Sequence, residues 1–386
     1  MDERVKAAMD EWNGFANPSS IHKLGIEARS KIEEARRSVA ELINCSPEQI
    51  IFTSGGSESN AMVVRGYRDL YYGWQDPVSV AYSVVEHESV IENAKLSGFT
   101  QNGRPPVEIP VCKNGKVSYF TLEEVLAANK HIHLVSVMAV NNETGSINDI
   151  KSMSFLAHCH NAVLHTDCVQ AVGTIPLDVQ AMQCDFLSLS AHKFHGPRGV
   201  GVLYCKDKTQ LIPLIKGSDS QESGFRGGTE NVPSIIGLGV AAKIAKEEYV
   251  EDAKKIAYVK SKFYFRLIEQ LNQRGYRELV HFNDADGVPV GKIFSITIDG
   301  IDAQSMVLML SAKGICVSAG SACNSSSTES SHVLKAIGLT DEQAHSTIRV
   351  SFSKYNSEFE AEAAADAIVD VIHNHYHPFS GVHIWD

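Results

Sequence analysis

The sequence predicts an α/β protein, a large doubly wound domain built on a mixed, largely parallel sheet and followed by a smaller α+β C-terminal domain. Three observations carry this. Short, apolar, β-branched runs alternate with helical patterns through the first two-thirds of the chain. Most of these runs stop at or close to a Gly, Asn, Asp, Ser or His. From about residue 240 the chain turns charged and helical before strands resume. Strands buried on both faces read as near-continuous apolar runs, and their alternation with helices implies parallel neighbours.

In chain order, Ile26 to Ile43 has Ile26, Ile32, Ala35, Val39 and Leu42 at helical spacing, so it reads as an amphipathic helix. Strands are then expected at IIFTSGG (50–56), VSVAYSVVEH (78–87), HLVSVMAVNNETG (133–145), AVLHTDCVQ (162–170), DFLSLSAHK (185–193) and GVGVLYC (199–205). The stretch from Ala242 to Arg274 is helical, with no further strand expected until VGKIFSITIDG (290–300). A helix at Ala303 to Lys313, a Ser/Gly/Cys loop, the strand STIRVSF (346–352) and a helix at Ser357 to Asn374 complete the chain. The expected division is residues 1–16 as an N-terminal helix packing with the small domain, 17–240 as the large domain, and 241–386 as the small one.

Composition narrows the function classes. The 386 residues are 44% hydrophobic and 21% charged, which suits a globular core and excludes disorder, collagen and coiled coil. Acidic residues outnumber basic ones, 46 to 35, so the net charge of −11 argues against holding nucleic acid by bulk electrostatics. The most apolar stretch, Ile235 to Ala245, is far short of the roughly 20 residues a membrane span needs. The start, MDERVKAAMDEW, has no apolar core of a signal peptide. Eight scattered cysteines without a CxxC pair read as thiols in a reducing, cytoplasmic compartment. The pairs His131/His133 and His158/His160 and the triplet His373/His375/His377 have HxH spacing but no matching Cys, Asp or Glu set, so no metal site is expected.

Chemistry concentrates in three segments. SLSAHKFHGPRG (188–199) places Lys193 directly after a strand and before a Gly-Pro turn, at the sheet edge where ligands bind in such folds. Taken alone, a lysine there is most simply a solvated charge. Upstream, AVLHTDCVQ ends a buried strand with Asp167, and a carboxylate in that position is costly unless it meets a cation. SGGSESN (54–60) follows a strand and opens a helix, so its N–H groups can cradle a phosphate, although it lacks a nucleotide P-loop pattern. A Schiff-base lysine and an aspartate for a protonated pyridine nitrogen are the two groups pyridoxal phosphate demands.

Nine ordered segments then resemble the pyridoxal-phosphate enzymes of the class V aminotransferase group, and within it the cysteine desulfurases of the NifS/IscS type. They are NPSSIHKLG (17–25), IIFTSGGSESN (50–60), EHESV (86–90), NNETG (141–145), HTDCVQAVG (165–173), SAHKFHGPRGVG (190–201), RGGTENV (226–232), VSAGSACNSS (317–326) and STIRVSF (346–352). The resemblance implies a fold type I aminotransferase-like large domain that binds the cofactor. It makes Lys193 the Schiff-base lysine, Asp167 the partner of the ring nitrogen, and His87 the histidine that stacks on the ring and moves protons. It assigns Gly56, Ser57, Ser190 and His192 to the phosphate, and Asn142 and Gln170 to the neighbourhood of the phenolic oxygen. Thr229 matches a phosphate contact that the family supplies from a second subunit, which implies a homodimer.

Cys323, in the polar loop SAGSACNSSS, matches the nucleophilic cysteine, and Arg349 the arginine that grips the substrate carboxylate. Cys316 reads as a buried strand cysteine, and Cys168 as either a second thiol beside the ring or a small apolar filler. The implied reaction converts L-cysteine to L-alanine, with sulfur held as a Cys323 persulfide and passed to an acceptor protein such as an iron–sulfur scaffold or a thiolation enzyme. The alternatives are another pyridoxal-phosphate lyase or aminotransferase, for example a selenocysteine lyase, or a catalytically weak sulfur-carrier subunit. The last follows from the start of the chain, which lacks the strand and AATTP-like stretch with which the family usually begins.

Overall fold

The computed structural model describes residues 1–70, 78–97, 104–283, 291–320 and 330–376. Seven strands form one mixed sheet: β1 (Ile50–Thr53), β2 (Ser79–Ser83), β3 (Val107–Ile109), β4 (Ile132–Ser136), β5 (Val163–Asp167), β6 (Phe186–Ser190) and β7 (Gly201–Cys205). Their spatial order is β1-β7-β6-β5-β4-β2-β3. The run β3-β2-β4-β5-β6 is parallel, whereas β7 pairs antiparallel with both β6 and β1.

Burial on both faces explains the apolar runs. Ile50 and Phe52 enter one core and Ile51 another; Leu187 and Leu189 oppose Phe186; Val202 and Tyr204 oppose Leu203 and Cys205. This is the period-2 alternation of a strand covered on each side. The expected helix from Ile26 runs from Lys23 to Ile43, because the His22 imidazole accepts the Gly25 N–H (3.2 Å) and caps it one turn earlier.

Four strands form a second, antiparallel sheet in the order β10-β11-β9-β8: β8 (Val280–Phe282), β9 (Ile293–Ile298), β10 (Ser318–Ala319) and β11 (Thr347–Ser351). β8 is an additional strand, too short and too polar to stand out in sequence. Phe263, Phe294 and Phe352 lie at the centre of its core.

The chain divides into two units: residues 1–111, 117–140 and 147–249, and residues 112–116, 141–146 and 250–386. The split therefore falls at Tyr249/Val250, inside the helix Val232–Arg274, rather than at 240. The N-terminal segment also differs from expectation. The helix Glu3–Glu11 belongs to the first unit, not the small one: Val5 is buried in the large core, the Asp2 N–H donates to His195 O (2.9 Å), and Gly237 leaves room for Met9. Its one buried apolar residue decides which partner it takes.

Candidate active site

In the first unit, strand direction gathers the motif residues. β1 opposes β7 and β7 opposes β6, so β1, β5 and β6 all end at the edge where β7 begins. Ser54–Gly56, Asp167, Ser190 and Gly201 meet there. A Cβ on Gly201 would come 2.5 Å from Gly55 Cα, and one on Gly56 would come 2.6 Å from the Val169 side chain. Only glycine permits those approaches.

Gly56 opens the helix Gly56–Leu70, so its first N–H groups point at this edge. Ser57 is exposed on its first turn. Glu58 closes the turn behind it, accepting the Ser54 N–H (2.8 Å) and the Arg226 Nε–H (3.0 Å). Burial opposes the Glu58 charge, yet the bonds from Arg226 and Ser54 hold its carboxyl below the ordinary range.

Asp167 is 5% exposed. Its Oδ2 accepts from Asn60 Nδ2 (2.7 Å) and its Oδ1 from the Val169 N–H (2.8 Å). Both donors are neutral, and among the described residues no cation pairs with it. Burying a carboxylate with neutral donors alone is costly, so Asp167 is a place where a positive group would be favoured.

Lys193 is exposed in the single turn Ala191–Phe194, which links β6 to β7. His195 closes that turn at φ 66°, and the Gly196 N–H donates to Ala191 O (2.9 Å). His192 shares a hydrogen bond with Ser190 Oγ (3.0 Å), and burial together with the charges of Lys193 and Arg198 pushes its pKa down. Gln170, half-buried, follows β5, and His87, half-buried, directly precedes the helix Glu88–Ser97. Thr229 is exposed, following Gly228 at φ 100°.

Cys168 resolves as the filler. It is fully buried within the large core, directly after β5, and burial pushes its thiol far up. Beneath Asp167 on the same strand, His165 is fully buried between Ser136 Oγ (2.8 Å) and Ser188 Oγ (3.0 Å), and burial pushes it down to about 3.

In the second unit, Arg349 on β11 donates through Nη1 to Asn142 O (2.7 Å). Among the described residues the buried Asn142 Oδ1 has no hydrogen-bond partner. Glu143 Oε2 accepts from Ser331 Oγ (2.6 Å), and a Cβ on Gly320 would lie 3.8 Å from both Glu143 Oε2 and Ser331 Cβ. Gly320 and Ser331 thus converge on one carboxylate. Cys323 lies outside the described residues. Cys316 is exposed and precedes β10 rather than being buried in a strand, because the chain after the helix Ala303–Ala312 enters the sheet two residues later than its apolar letters suggest.

The structure therefore brings Gly56, Ser57, His87, Asp167, Gln170, Ser190, His192, Lys193 and Thr229 into the first unit, and Asn142 and Arg349 into the second. Sequence reasoning missed Asn60, Glu58, Ser89, Glu143 and Arg226 as supports. All five stand inside the motif segments, and the signal was there: polar residues within otherwise functional runs. Among the described residues no three His, Cys, Asp or Glu side chains group to hold a metal. His158 instead meets Asp185 (2.7 Å) and His160 meets Glu123 (3.2 Å), while His377 lies outside the described residues.

Residues 1–363 match the family model described as aminotransferase class-V. The chain is 37% identical to a cysteine desulfurase IscS of Dictyoglomus turgidum over 358 residues, covering 93% of this chain and 88% of the relative. It is likewise 37% identical to cysteine desulfurase IscS 1 of Archaeoglobus fulgidus, covering 96% and 94%. Among solved structures it resembles a NifS-like protein with a TM-score of 0.86 at 32% identity, covering 97% and 96% of the two chains. It also resembles SspA in complex with cysteine, with a TM-score of 0.76 at 30% identity, covering 92% and 97%.

Proposed function

Because the chain belongs to the class V aminotransferase family, we propose that it is a pyridoxal-phosphate-dependent cysteine desulfurase, converting L-cysteine to L-alanine while its sulfur passes to Cys323 and then to an acceptor protein. The observation that carries this is Asp167, a buried carboxylate with two neutral donors, at the strand edge that also holds the Lys193 turn. The named relatives and the cysteine-bound neighbour supply the substrate.

The residues present fit the cofactor. The Asp167 carboxylate asks for the cation that a protonated pyridine nitrogen supplies, and Gly56 and Gly201 keep the helix start open beside Ser190. When bound, pyridoxal phosphate supplies an electron sink conjugated to the substrate's α-carbon. Asp167 would keep the ring nitrogen protonated. The first N–H groups of the helix Gly56–Leu70, with Ser57, Ser190 and His192, would hold the phosphate, and Lys193 would be the anchoring amine. Asn142 and Gln170 would serve the phenolic oxygen, and His87 would stack on the ring and carry a proton. Arg349 takes the substrate carboxylate through its planar fork.

The sulfur step balances without a further reagent. The Cys323 thiolate bonds to the substrate sulfur as the carbon–sulfur bond breaks, leaving a persulfide on the protein and, after proton return, alanine. A second copy of the chain supplies Thr229 to the phosphate, which makes the working form a homodimer. The acceptor is a protein thiol, on an iron–sulfur scaffold or a thiolation enzyme, and the work is cytoplasmic. Among the described residues no helix is long and apolar enough to cross a membrane.

The test is mass spectrometry of the protein after incubation with cysteine under non-reducing conditions, alongside alanine and sulfide assays. One added sulfur on the Cys323 peptide, and its loss with sulfide release in Cys323→Ser, is expected. Added sulfur elsewhere, or normal turnover by Cys323→Ser, overturns the mechanism; keto-acid formation overturns the reaction class.

A further inference from the structure

Asn60 and Ser89, to which the family resemblance gives no role, connect Asp167 to His87. Asn60 is 1% exposed. Its Nδ2 donates one hydrogen to Asp167 Oδ2 (2.7 Å) and the other to Ser89 Oγ (3.0 Å). A carboxylate accepts and cannot donate when ionised, so Asp167 fixes which end of the Asn60 amide faces it. Both amide hydrogens are then used.

The direction of the next bond follows. Ser89 Oγ receives a hydrogen from Asn60, so its own single hydrogen is left for His87 Nδ1, 2.8 Å away. His87 Nδ1 also accepts the Ser89 backbone N–H (3.1 Å). A backbone N–H cannot reverse its role. Two donors therefore converge on Nδ1, and the neutral imidazole carries its hydrogen on Nε2.

We propose that Asn60 and Ser89 are positioning residues that lock His87 in its Nε2–H tautomer and tie that choice to the Asp167 carboxylate that orients the Asn60 amide. The lock presents a proton donor, rather than a lone pair, on the side of the ring away from the helix. It also holds the imidazole by two bonds, so the ring does not turn end for end. Without the Ser89 hydroxyl only the backbone N–H remains, and the preference weakens. Without Asn60 the hydroxyl is free to point elsewhere. The inference rests on the proposed role of His87 over the cofactor.

The experiment reads the tautomer directly, by nitrogen-15 spectra of histidine-labelled holoprotein, with His87 assigned by comparison with His87→Gln. The expected result is a protonated-type shift at Nε2 and an unprotonated one at Nδ1. Ser89→Ala should move both shifts toward the average of the two tautomers and lower kcat about tenfold with KM little changed, since proton transfer is a step that positioned groups accelerate by about 10²–10⁴. Ser89→Thr, which keeps the hydroxyl, should restore both. A wild-type proton on Nδ1 overturns the proposal, as do unchanged shifts in Ser89→Ala. The wild-type spectrum decides even if a variant fails to fold. Should the shifts behave as expected while cysteine yields no sulfide, the lock stands and the desulfurase reading falls.

Discussion

Arg36 and Glu222, 186 residues apart, meet as a buried two-pronged ion pair, with Nη2 to Oε1 at 2.7 Å and Nη1 to Oε2 at 2.9 Å. Glu222 Oε2 also accepts the Phe52 N–H (2.8 Å), Arg36 Nη1 also donates to Ile50 O (2.9 Å), and the guanidinium lies 4.7 Å from the Phe52 ring centre. The turn it secures is conformationally costly: Glu222, Ser223 and Gly224 have φ of 43°, 54° and 83°. That turn leads into the segment carrying Arg226 and Thr229.

Removing Glu222 leaves the buried Arg36 head with only the half-exposed Glu33 carboxylate (3.1 Å) as an ionic partner and takes away the acceptor of the Phe52 N–H. Glu222→Gln should therefore destabilise the protein by about 3–5 kcal/mol, whereas Arg36→Met with Glu222→Leu should recover most of the loss. Urea unfolding of the three proteins checks this. A single variant as stable as wild type would show that the pair contributes only geometry.

Cofactor and substrate binding should separate at two residues. Asp167→Asn should weaken cofactor retention by about 10- to 150-fold, the worth of a charge-assisted bond of about 1.5–3 kcal/mol. Arg349→Ala should raise KM for cysteine by about 30-fold or more, from a lost partner worth about 2–5 kcal/mol, with the visible spectrum intact. Dialysis with absorbance, and steady-state kinetics, give the two numbers. Equal cofactor loss in both would make Arg349 structural.

His165 sets a pH dependence. Its ordinary value is 6.5 and burial pushes it down to about 3, so the folded protein keeps it neutral. Above about 6.5 neither state is protonated and its contribution is fully present. As pH falls from about 6.5 toward about 3 the unfolded chain binds a proton that the fold refuses, and stability drops by about 1.4 kcal/mol per pH unit. Between pH 6.5 and 5 that is about 2 kcal/mol. His165→Asn should flatten the curve by one proton's slope, read from urea midpoints at a series of pH values. An unchanged slope would mean His165 already protonates in the folded state.

The thiols should divide by burial. Cys112, Cys159 and Cys316 are exposed, whereas Cys168, Cys184 and Cys205 are buried. Burial pushes Cys184 and Cys205 up to about 12. Only about one part in ten thousand of such a thiol is ionised at pH 8, so alkylation of the native protein should mark the first three and spare the second three until unfolding. Peptide mapping reads the outcome. Rapid labelling of Cys168 would remove its assignment as a filler, and Cys168→Ala should turn over normally.

The large sheet was legible because its strands are apolar on both faces and stop at polar residues; Asp167, Ser190 and Lys193 each stand where the pattern breaks. Strand direction was not legible in detail. Nothing in Gly201–Cys205 distinguishes an antiparallel strand from a parallel one, since both faces are buried either way. Arg36 and Glu222 stand on a helix and in a polar loop, where charges are ordinarily solvated, and only their meeting across the chain makes them core. Cys316 misled for the opposite reason, as apolar letters in a segment that stays exposed. Asn60 and Ser89 sat in recognised motifs, but hydrogen-bond direction is a property of three-dimensional placement.

The pairing of β1 with β7 joins Ile50 to Tyr204 and Thr53 to Gly201, while β5, β6 and β7 are near neighbours in sequence. Long loops close late and local ones early. During synthesis, at about 5–20 residues per second, the Ser54–Gly56 turn leaves the ribosome well before the strand that seats it. On this ordering the side holding Asp167 and Lys193 is one local piece, and the Ser54–Gly56 turn joins it only when β1 docks against β7. A chain stalled before residue 200 has the strands that carry Asp167 and Ser190 but not the strand against which β1 and its glycine turn pack.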